Sequence, residues 1–548
     1  MSKKVVIVGA GLAGLSAGIY ARQAGYDVEI YEKNLEAGGC CSAWKRGPYT
    51  IDNCIHWMTG TLKDSMQYKI WKNLGALSDD TKYIKRESFL SCEYQGQKIT
   101  LWRDIERTKK EMLELSPEDE KEILRFIDYT RLASTLQQPY ENFTEVRNAF
   151  NDFNSYVPRS KLLTSVFEYV FKSSTDMAKQ FKHPLLQKLF TDFMCKDYES
   201  YWLVLSYSIF VANNGDIPEG GSAGVVERMV KTFKDLGGKL YLGLPVSKIV
   251  LSKQKFTIDK EVFSKRAVDY YKVRKITARN AEGILLVDET FVEADYVICA
   301  CDIFYTFGTL LKRKYAPASI RRIKHGKCKS PIYSSFQTAF AVRGEMPEVD
   351  QLTFSCRPVN VAKETYDRIC VKNYRCYGDY IAPKGETVIQ VSLVQYVQDY
   401  EYWHKLRQQP VLYKKKKNEV AHEILTRIEE RFPEYRGKIK LIDCWTPYTY
   451  HRMNNCYYGA YMRFITTATN RNAFLPIDVK DLRNVFLASH WLRYPGGIPT
   501  ASALGGVVVN RIKHLDEDQI IRTKVKKKLQ KRRKQLEKQY KLAEEITS

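Results

Sequence analysis

Short apolar runs set between glycine turns and amphipathic stretches organise the start of this chain. Val5–Val8 is a continuous apolar run, too short for a helix and followed by glycine, which predicts a strand buried on both faces. About Leu12–Ala24 the apolar positions recur with helical period, and Val28–Glu32 predicts a second strand. Similar patterns return far along the chain. Ala223–Leu236 predicts an amphipathic helix followed by a strand-turn-strand carrying Val246, Tyr296–Cys301 a buried strand, and Val485–Ala488 a last one. Between Leu90 and Asn214 helical periodicity dominates, as in "DEKEILRFIDYTRLA" and "KLLTSVFEYVF", whereas "IYSSFQTAFAVRG" and "ETVIQVSLVQY" read as sheet. A helix is expected to begin near Pro499, where a proline loses no needed N–H. Its small residues Ala501, Ala503, Gly505 and Gly506 predict that its backbone approaches something closely, against a penalty of roughly 1 kcal/mol per interior glycine.

A chain of 548 residues exceeds what one hydrophobic core organises, so two or more domains are expected. Its 44% hydrophobic and 13% aromatic content is ample for packed cores and excludes global disorder. The net charge of +24 is unevenly placed: Ile521–Ser548 holds eleven Lys and Arg against three acids, a net of +8. Such a balance favours nucleic acid, anionic membranes or acidic ligands. The usual nucleic-acid motifs are missing, so an anionic membrane surface is the expected partner and nucleic acid is not. Thirteen cysteines without framework spacing, and a start with no apolar segment of signal length, point to a reducing cytoplasm, with the protein peripheral on the inner face of the membrane. The most apolar short window, Tyr201–Ala212, is well below the roughly 18 residues that span a bilayer.

The chemistry starts at the first turn. Gly9, Gly11 and Gly14 fill G-x-G-x-x-G between a strand and a helix, giving a tight turn, room for a pyrophosphate and close helix–strand packing. The helix amino terminus then faces the phosphates. Glu32 ends the second strand, where a carboxylate accepts from ribose hydroxyls. No metal site is read from the sequence.

A second glycine pair, Gly38–Gly39, follows in "EKNLEAGGCCSAW", and this arrangement resembles the two-dinucleotide-binding-domain flavoproteins. With "GGCCSAWKRGPYTIDNCIHWMTG", "HPLLQKLF", "YSIFVANNGDIPEGG" and "TPYTYHRMNNCYYGAYM", the chain to about residue 512 resembles the phytoene desaturase family of carotenoid desaturases, carotenoid isomerases and retinol saturases, the saturase branch most of all. The resemblance implies an α/β fold, a Rossmann-like FAD-binding domain with an inserted α+β substrate domain. It assigns 1–80, 215–305 and 480–515 to the FAD domain, 81–214 and 306–479 to the substrate domain, and 516–548 to a basic helical tail. It also implies FAD, with NAD(P)H as a candidate electron donor, and cofactor contacts from Gly9, Gly11, Leu12, Ala13 and Gly14, from Glu32 and Lys33, and from Gly38, Gly39 and Cys40. Val246 lies toward the adenine, and Ser489, Gly496, Gly497, Ile498 and Pro499 toward the flavin ring. Many relatives carry arginine where Cys40 stands and glycine or an acid near Ser489, so ring contacts there do not transfer directly.

The activity expected from the resemblance is hydride exchange between flavin N5 and an alkene carbon of a long apolar substrate, with saturation, desaturation and isomerisation all open. The alternatives are an amine oxidase-like flavoenzyme, which needs an aromatic cage and often a lysine near the flavin, and a flavoprotein that binds lipid without turnover. Neither cage nor lysine is located from the sequence. The paired Cys40 and Cys41 read as packing beside the flavin, since adjacent cysteines close only a strained ring. His56 and His490 are weak candidates for proton transfer. In "YKKKKNEVAHEILTRIEERF", Lys414–Lys417 start an amphipathic helix with Val420, Ile424, Leu425 and Ile428 inward, and those lysines read as a solvated or membrane-facing patch.

Overall fold

The computed structural model describes residues 2–135, 172–193, 198–263, 271–324, 331–465, 475–493 and 496–517. A five-stranded, all-parallel sheet lies at its centre, with strands in the order Val485–Leu487, Tyr296–Cys299, Lys4–Val8, Asp27–Tyr31, Lys239–Tyr241. Val5, Val6 and Ile7 are fully buried, as a run apolar on every position requires. The register sets Val5 beside both Val28 and Tyr296, so stretches nearly 300 positions apart share one ladder. The first helix, Leu12–Gln23, and the helix Gly221–Asp235 pack together over this sheet, where a Cβ on Gly18 would come within 2.9 Å of the Phe233 ring.

A mixed seven-stranded sheet forms the second layer, in the order Ile439–Trp445, Ser334–Arg343, Glu386–Gln395, Glu364–Asn373, Gln351–Val361, Ser88–Tyr94, Gln97–Trp102. Its side chains alternate faces with period two. Phe336, Phe340, Ile369, Val371, Ile389 and Val391 point to one face and pack with Val420, Ala421, Ile424 and Ile428 of the helix Pro410–Arg431 in one core. Leu425 is only half-buried on that helix. The opposite face carries Gln337, Ser392, Cys370, Lys372 and Gln351. A helical cluster including Glu120–Ser134, Pro184–Asp192 and Tyr201–Val211 packs beside the sheet edge. The apolar window around Tyr201 is thus a core helix, with eight of its eleven residues buried.

Several expectations need correction. The stretch expected to be chiefly helical from Leu90 onward opens instead with a hairpin, Ser88–Tyr94 and Gln97–Trp102, turned at Gln95 and Gly96, both with φ above +20°. The lysine run lies inside its helix, which begins four residues earlier at Pro410. Lys415 and Lys416 pair with Glu419 at 3.9 and 2.8 Å, and Lys417 turns inward to donate to the Cys444 carbonyl. The small residues of the last helix, 497–517, serve mainly the first helix: a Cβ on Gly505 would lie 2.4 Å from the Ala17 nitrogen, and Ser16 Oγ donates to the Ser502 carbonyl at 2.5 Å. Residues 161–171, Tyr494, Pro495 and the basic tail from 518 lie outside the described residues. Among the described residues no helix is long and apolar enough to cross a membrane.

Candidate functional site

All the parallel strands end at one edge, and the turns that follow four of the five border a cavity of about 580 Å³. Ligands of open α/β sheets bind at this carboxyl edge. Gly9, in left-handed conformation at φ +104°, turns the chain out of the first strand while its N–H donates to the Tyr31 carbonyl at 2.8 Å. The Gly38 N–H donates to the Ala10 carbonyl at 2.9 Å, so the two glycine loops form one surface. Gly9, Gly11, Leu12, Ala13, Gly38, Gly39 and Cys40 line the cavity. Gly14 does not: a Cβ there would fall 1.9 Å from the Gly9 carbonyl oxygen, so it belongs to helix–turn packing rather than to a ligand contact.

Glu32 is buried on the wall, with Oε2 accepting from the Ala10 N–H and Oε1 from the Asn34 N–H, each at 2.9 Å. The carboxylate therefore ties the glycine loop to the end of the second strand, a task beyond the ribose contact expected of it. Lys33 reaches the Arg452 carbonyl at 2.9 Å and Asn455 Oδ1 at 3.0 Å, and burial lowers its pKa. That clamp draws the 446–462 motif onto the site. With it comes Cys456, whose Sγ lies 3.6 Å from Cys40 Sγ, a neighbour that sequence spacing could not reveal.

The Tyr296–Cys299 strand is followed by Asp302, which was not among the site residues expected from the sequence although it stands directly after the strand expected over Tyr296–Cys301. Its Oδ1 accepts from the Phe304 and Tyr305 N–H groups at 2.8 and 3.0 Å and its Oδ2 from the Tyr457 N–H at 3.1 Å. Burial nevertheless pushes its pKa up to about 6. Val246, Ser489, Gly496, Gly497, Ile498 and Pro499 complete this side of the cavity. Gly496 and Gly497 both have positive φ, +85° and +72°, and a Cβ on Gly496 would meet Arg463 Cγ at 2.9 Å.

Both histidines line the cavity, and both are held neutral. His56 Nδ1 lies 2.7 Å from the Tyr374 hydroxyl, and burial, with the cations of Lys372 and Arg86 adding to it, keeps its pKa well below the usual histidine range. Burial, reinforced by Arg463, lowers His490 to about 4, and its buried Nε2 has no hydrogen-bond partner among the described residues. Neither imidazole is a ready acid at neutral pH.

The rest of the wall comes from the Tyr201–Val211 helix and the polar face of the seven-stranded sheet. Trp202, Leu205, Ile209 and Val394 bring apolar surface, and Tyr198, Tyr333 and Tyr461 form an edge-to-face chain with centroids 6.3 and 5.8 Å apart. Lys372 lines the same wall. Rings and a lysine are thus present although neither was located from the sequence, because distant stretches of the chain come together to build this wall.

These residues fit a flavin dinucleotide. A Cβ on Gly11 would meet nothing nearer than the Gly38 oxygen at 3.9 Å, leaving open space between the glycine loops for a pyrophosphate, and His490 Nε2 is an unmet polar atom of the kind a heterocycle edge satisfies.

Comparison with known proteins places this architecture. The sequence profile of the family described as flavin containing amine oxidoreductase matches residues 12–512. The 4,4'-diaponeurosporene oxygenase of Staphylococcus aureus (strain MW2) is 22% identical over 556 residues, covering 93% of this chain and 98% of that protein. The all-trans-retinol 13,14-reductase of Danio rerio is 22% identical over 571 residues, covering 93% of this chain and 86% of its own length. Among solved structures, a triple mutant of putrescine oxidase superposes with a TM-score of 0.57 at 14% identity, covering 94% of this chain and 99% of the other, a likeness of fold alone.

Proposed function

We propose, for a chain that belongs to the flavin-containing amine oxidoreductase family and is therefore an FAD-dependent oxidoreductase, that it acts on carbon–carbon double bonds of a long apolar substrate, a carotenoid, retinoid or other isoprenoid lipid. The observation that carries this reading is the state of the carboxylates on the cavity wall. Among the described residues they are Glu32, Asp192 and Asp302. Glu32 and Asp302 are committed to backbone N–H groups, and Asp192 to Arg368 at 2.8 and 2.6 Å. Beside the apolar wall a protonated amine would find Asp192 already paired with Arg368 and would meet Lys372. An apolar chain meets Trp202, Leu205, Ile209 and Val394, where its burial is favourable by about 25 cal/mol per Å². Curated relatives named for a carotenoid oxygenase and a retinol reductase support the same substrate class.

Bound flavin supplies hydride exchange with an alkene carbon. The chain's part is to hold and enclose. The glycine loops offer N–H groups to phosphates, Glu32 keeps lone pairs for a ribose, and the apolar wall excludes water from the reacting bond. Neutral His490 offers Nε2 as a hydrogen-bonding atom on the same wall. NAD(P)H is the reductant this reading names for saturation; desaturation and isomerisation would use the same wall.

The test joins cofactor and substrate class: a spectrum of the purified protein, then mass spectrometry of the lipid extracted from it. The reading expects a flavin band near ~450 nm and a co-purifying polyene. Flavin with no polyene, joined to peroxide release on adding amines, would overturn it.

A further inference from the structure

On the cavity face of the seven-stranded sheet, the register sets Lys372 opposite Gln351 on one neighbouring strand and Gln390 on the other. Cys370 and Ser392 lie two positions along on the same face, and Gln351, Cys370, Lys372 and Ser392 all line the cavity. The lysine is half-buried with its side chain toward that cavity, and among the described residues no carboxylate pairs with it. Asp192, the cavity carboxylate on this side among the described residues, is taken by Arg368, two alternations back along the same strand as Lys372. Cations gather here instead: Arg86 and Lys372 both act on His56, and burial with Arg86 lowers the pKa of Lys372 itself. An ammonium withdrawn from bulk water without a counter-ion is strongly disfavoured, and any uncharged residue of β propensity would satisfy the strand. A lysine at such a position, on the wall of a ligand cavity and flanked by neutral hydrogen-bonding side chains, marks a ligand contact.

We propose that Lys372 is the anion end of the substrate site, receiving the ionised carboxylate of a long unsaturated monocarboxylic acid. Gln351 and Ser392 beside it supply an amide and a hydroxyl donor, and the apolar body lies against the Trp202, Ile209 and Val394 side of the wall. One ammonium with neutral donors matches one carboxylate in charge. The proposal rests on the polyene reading above and narrows it from apolar lipids in general to amphipathic ones with an acid terminus.

The experiment is equilibrium binding to the flavin-loaded protein, read by quenching of tryptophan fluorescence, with all-trans-retinoic acid, its methyl ester and all-trans-retinol as probes. The acid is expected to bind at least about tenfold tighter than the ester. Lys372→Met should bring acid and ester within about twofold of each other while leaving the ester's Kd unchanged, and Lys372→Arg should keep most of the preference. Equal binding of acid and ester by the unsubstituted protein, or a preference that survives Lys372→Met, overturns the anion subsite and leaves the polyene reading standing. Failure of all three probes to bind overturns both.

Discussion

Gly11 faces open space between two glycine loops, and a side chain there would enter the volume assigned to the pyrophosphate without disturbing the fold. Gly11→Val is therefore expected to keep its unfolding midpoint while retaining less than about a tenth of the flavin absorbance near ~450 nm; a variant that holds flavin normally would place the phosphates elsewhere. His490 makes a prediction about pH. Its folded pKa of about 4 lies below the roughly 6.5 of an exposed histidine, so between those values the unfolded chain takes up a proton that the folded one refuses. The residue thus contributes full stability above about pH 6.5 and loses it as pH falls toward 4. Asp302, raised to about 6, works in the opposite sense, since the folded protein binds its proton first on acidification. Because both proteins keep Asp302, the comparison isolates the histidine: His490→Gln should gain on the unsubstituted protein by about 1–2 kcal/mol between pH 7.5 and pH 5. A difference in denaturation midpoint that stays constant with pH would show that His490 charges in place.

The last helix joins the fold to the site. At Gly505 an alanine would gain roughly 1 kcal/mol in helix propensity, yet its Cβ would fall within 2.6 Å of Ser16 and Ala17. Overpacking against backbone, which cannot step aside, outweighs that gain, so Gly505→Ala should destabilise by about 1–3 kcal/mol in urea titration; a neutral result would mean the two helices slide apart freely. At the other end of this helix, alanines at Gly496 and Gly497 would force two residues into left-handed backbone and crowd Arg463. The double variant is expected to fold and hold some flavin, with a potential lowered by some 20–45 mV and no alkene turnover, since about 30 mV corresponds to 1.4 kcal/mol. Unchanged potential and activity would make the turn ordinary scaffold. The central strands and the glycine loop were legible because a run buried on both faces, bounded by glycine, has few other readings. The hairpin at Gln95 and Gly96 was not, because the helices after it dominate the periodicity of that region. Lys372 was illegible for a different reason: in an alternating strand a polar position reads as solvent-facing, and only the assembled molecule shows that this face meets a cavity. Cys456 reaches Cys40 by the same tertiary route.

Across the whole molecule the net charge of +24 is the feature that local structure absorbs least. Lys414, Lys415 and Lys416 are exposed, although Glu419 partly neutralises the last two and Lys417 is turned inward. With the basic segment Ile521–Ser548 they predict sedimentation with anionic liposomes and release by salt, each cation contributing about 1 kcal/mol at most within a Debye length of roughly 8 Å. Equal binding to neutral and anionic vesicles, unchanged on deleting Thr523–Ser548, would leave these charges as solvation alone. The central claim, that this flavoenzyme acts on alkene carbons, is tested most directly by the fate of a polyene itself. All-trans-retinol or a carotenoid is incubated without oxygen with the oxidised and with the dithionite-reduced protein, and the products are separated by chromatography with mass detection. The account predicts that the number or geometry of the double bonds changes in one flavin state and remains unchanged when flavin is left out. Polyenes recovered intact from both states, while an amine bleaches the same flavin, would contradict it.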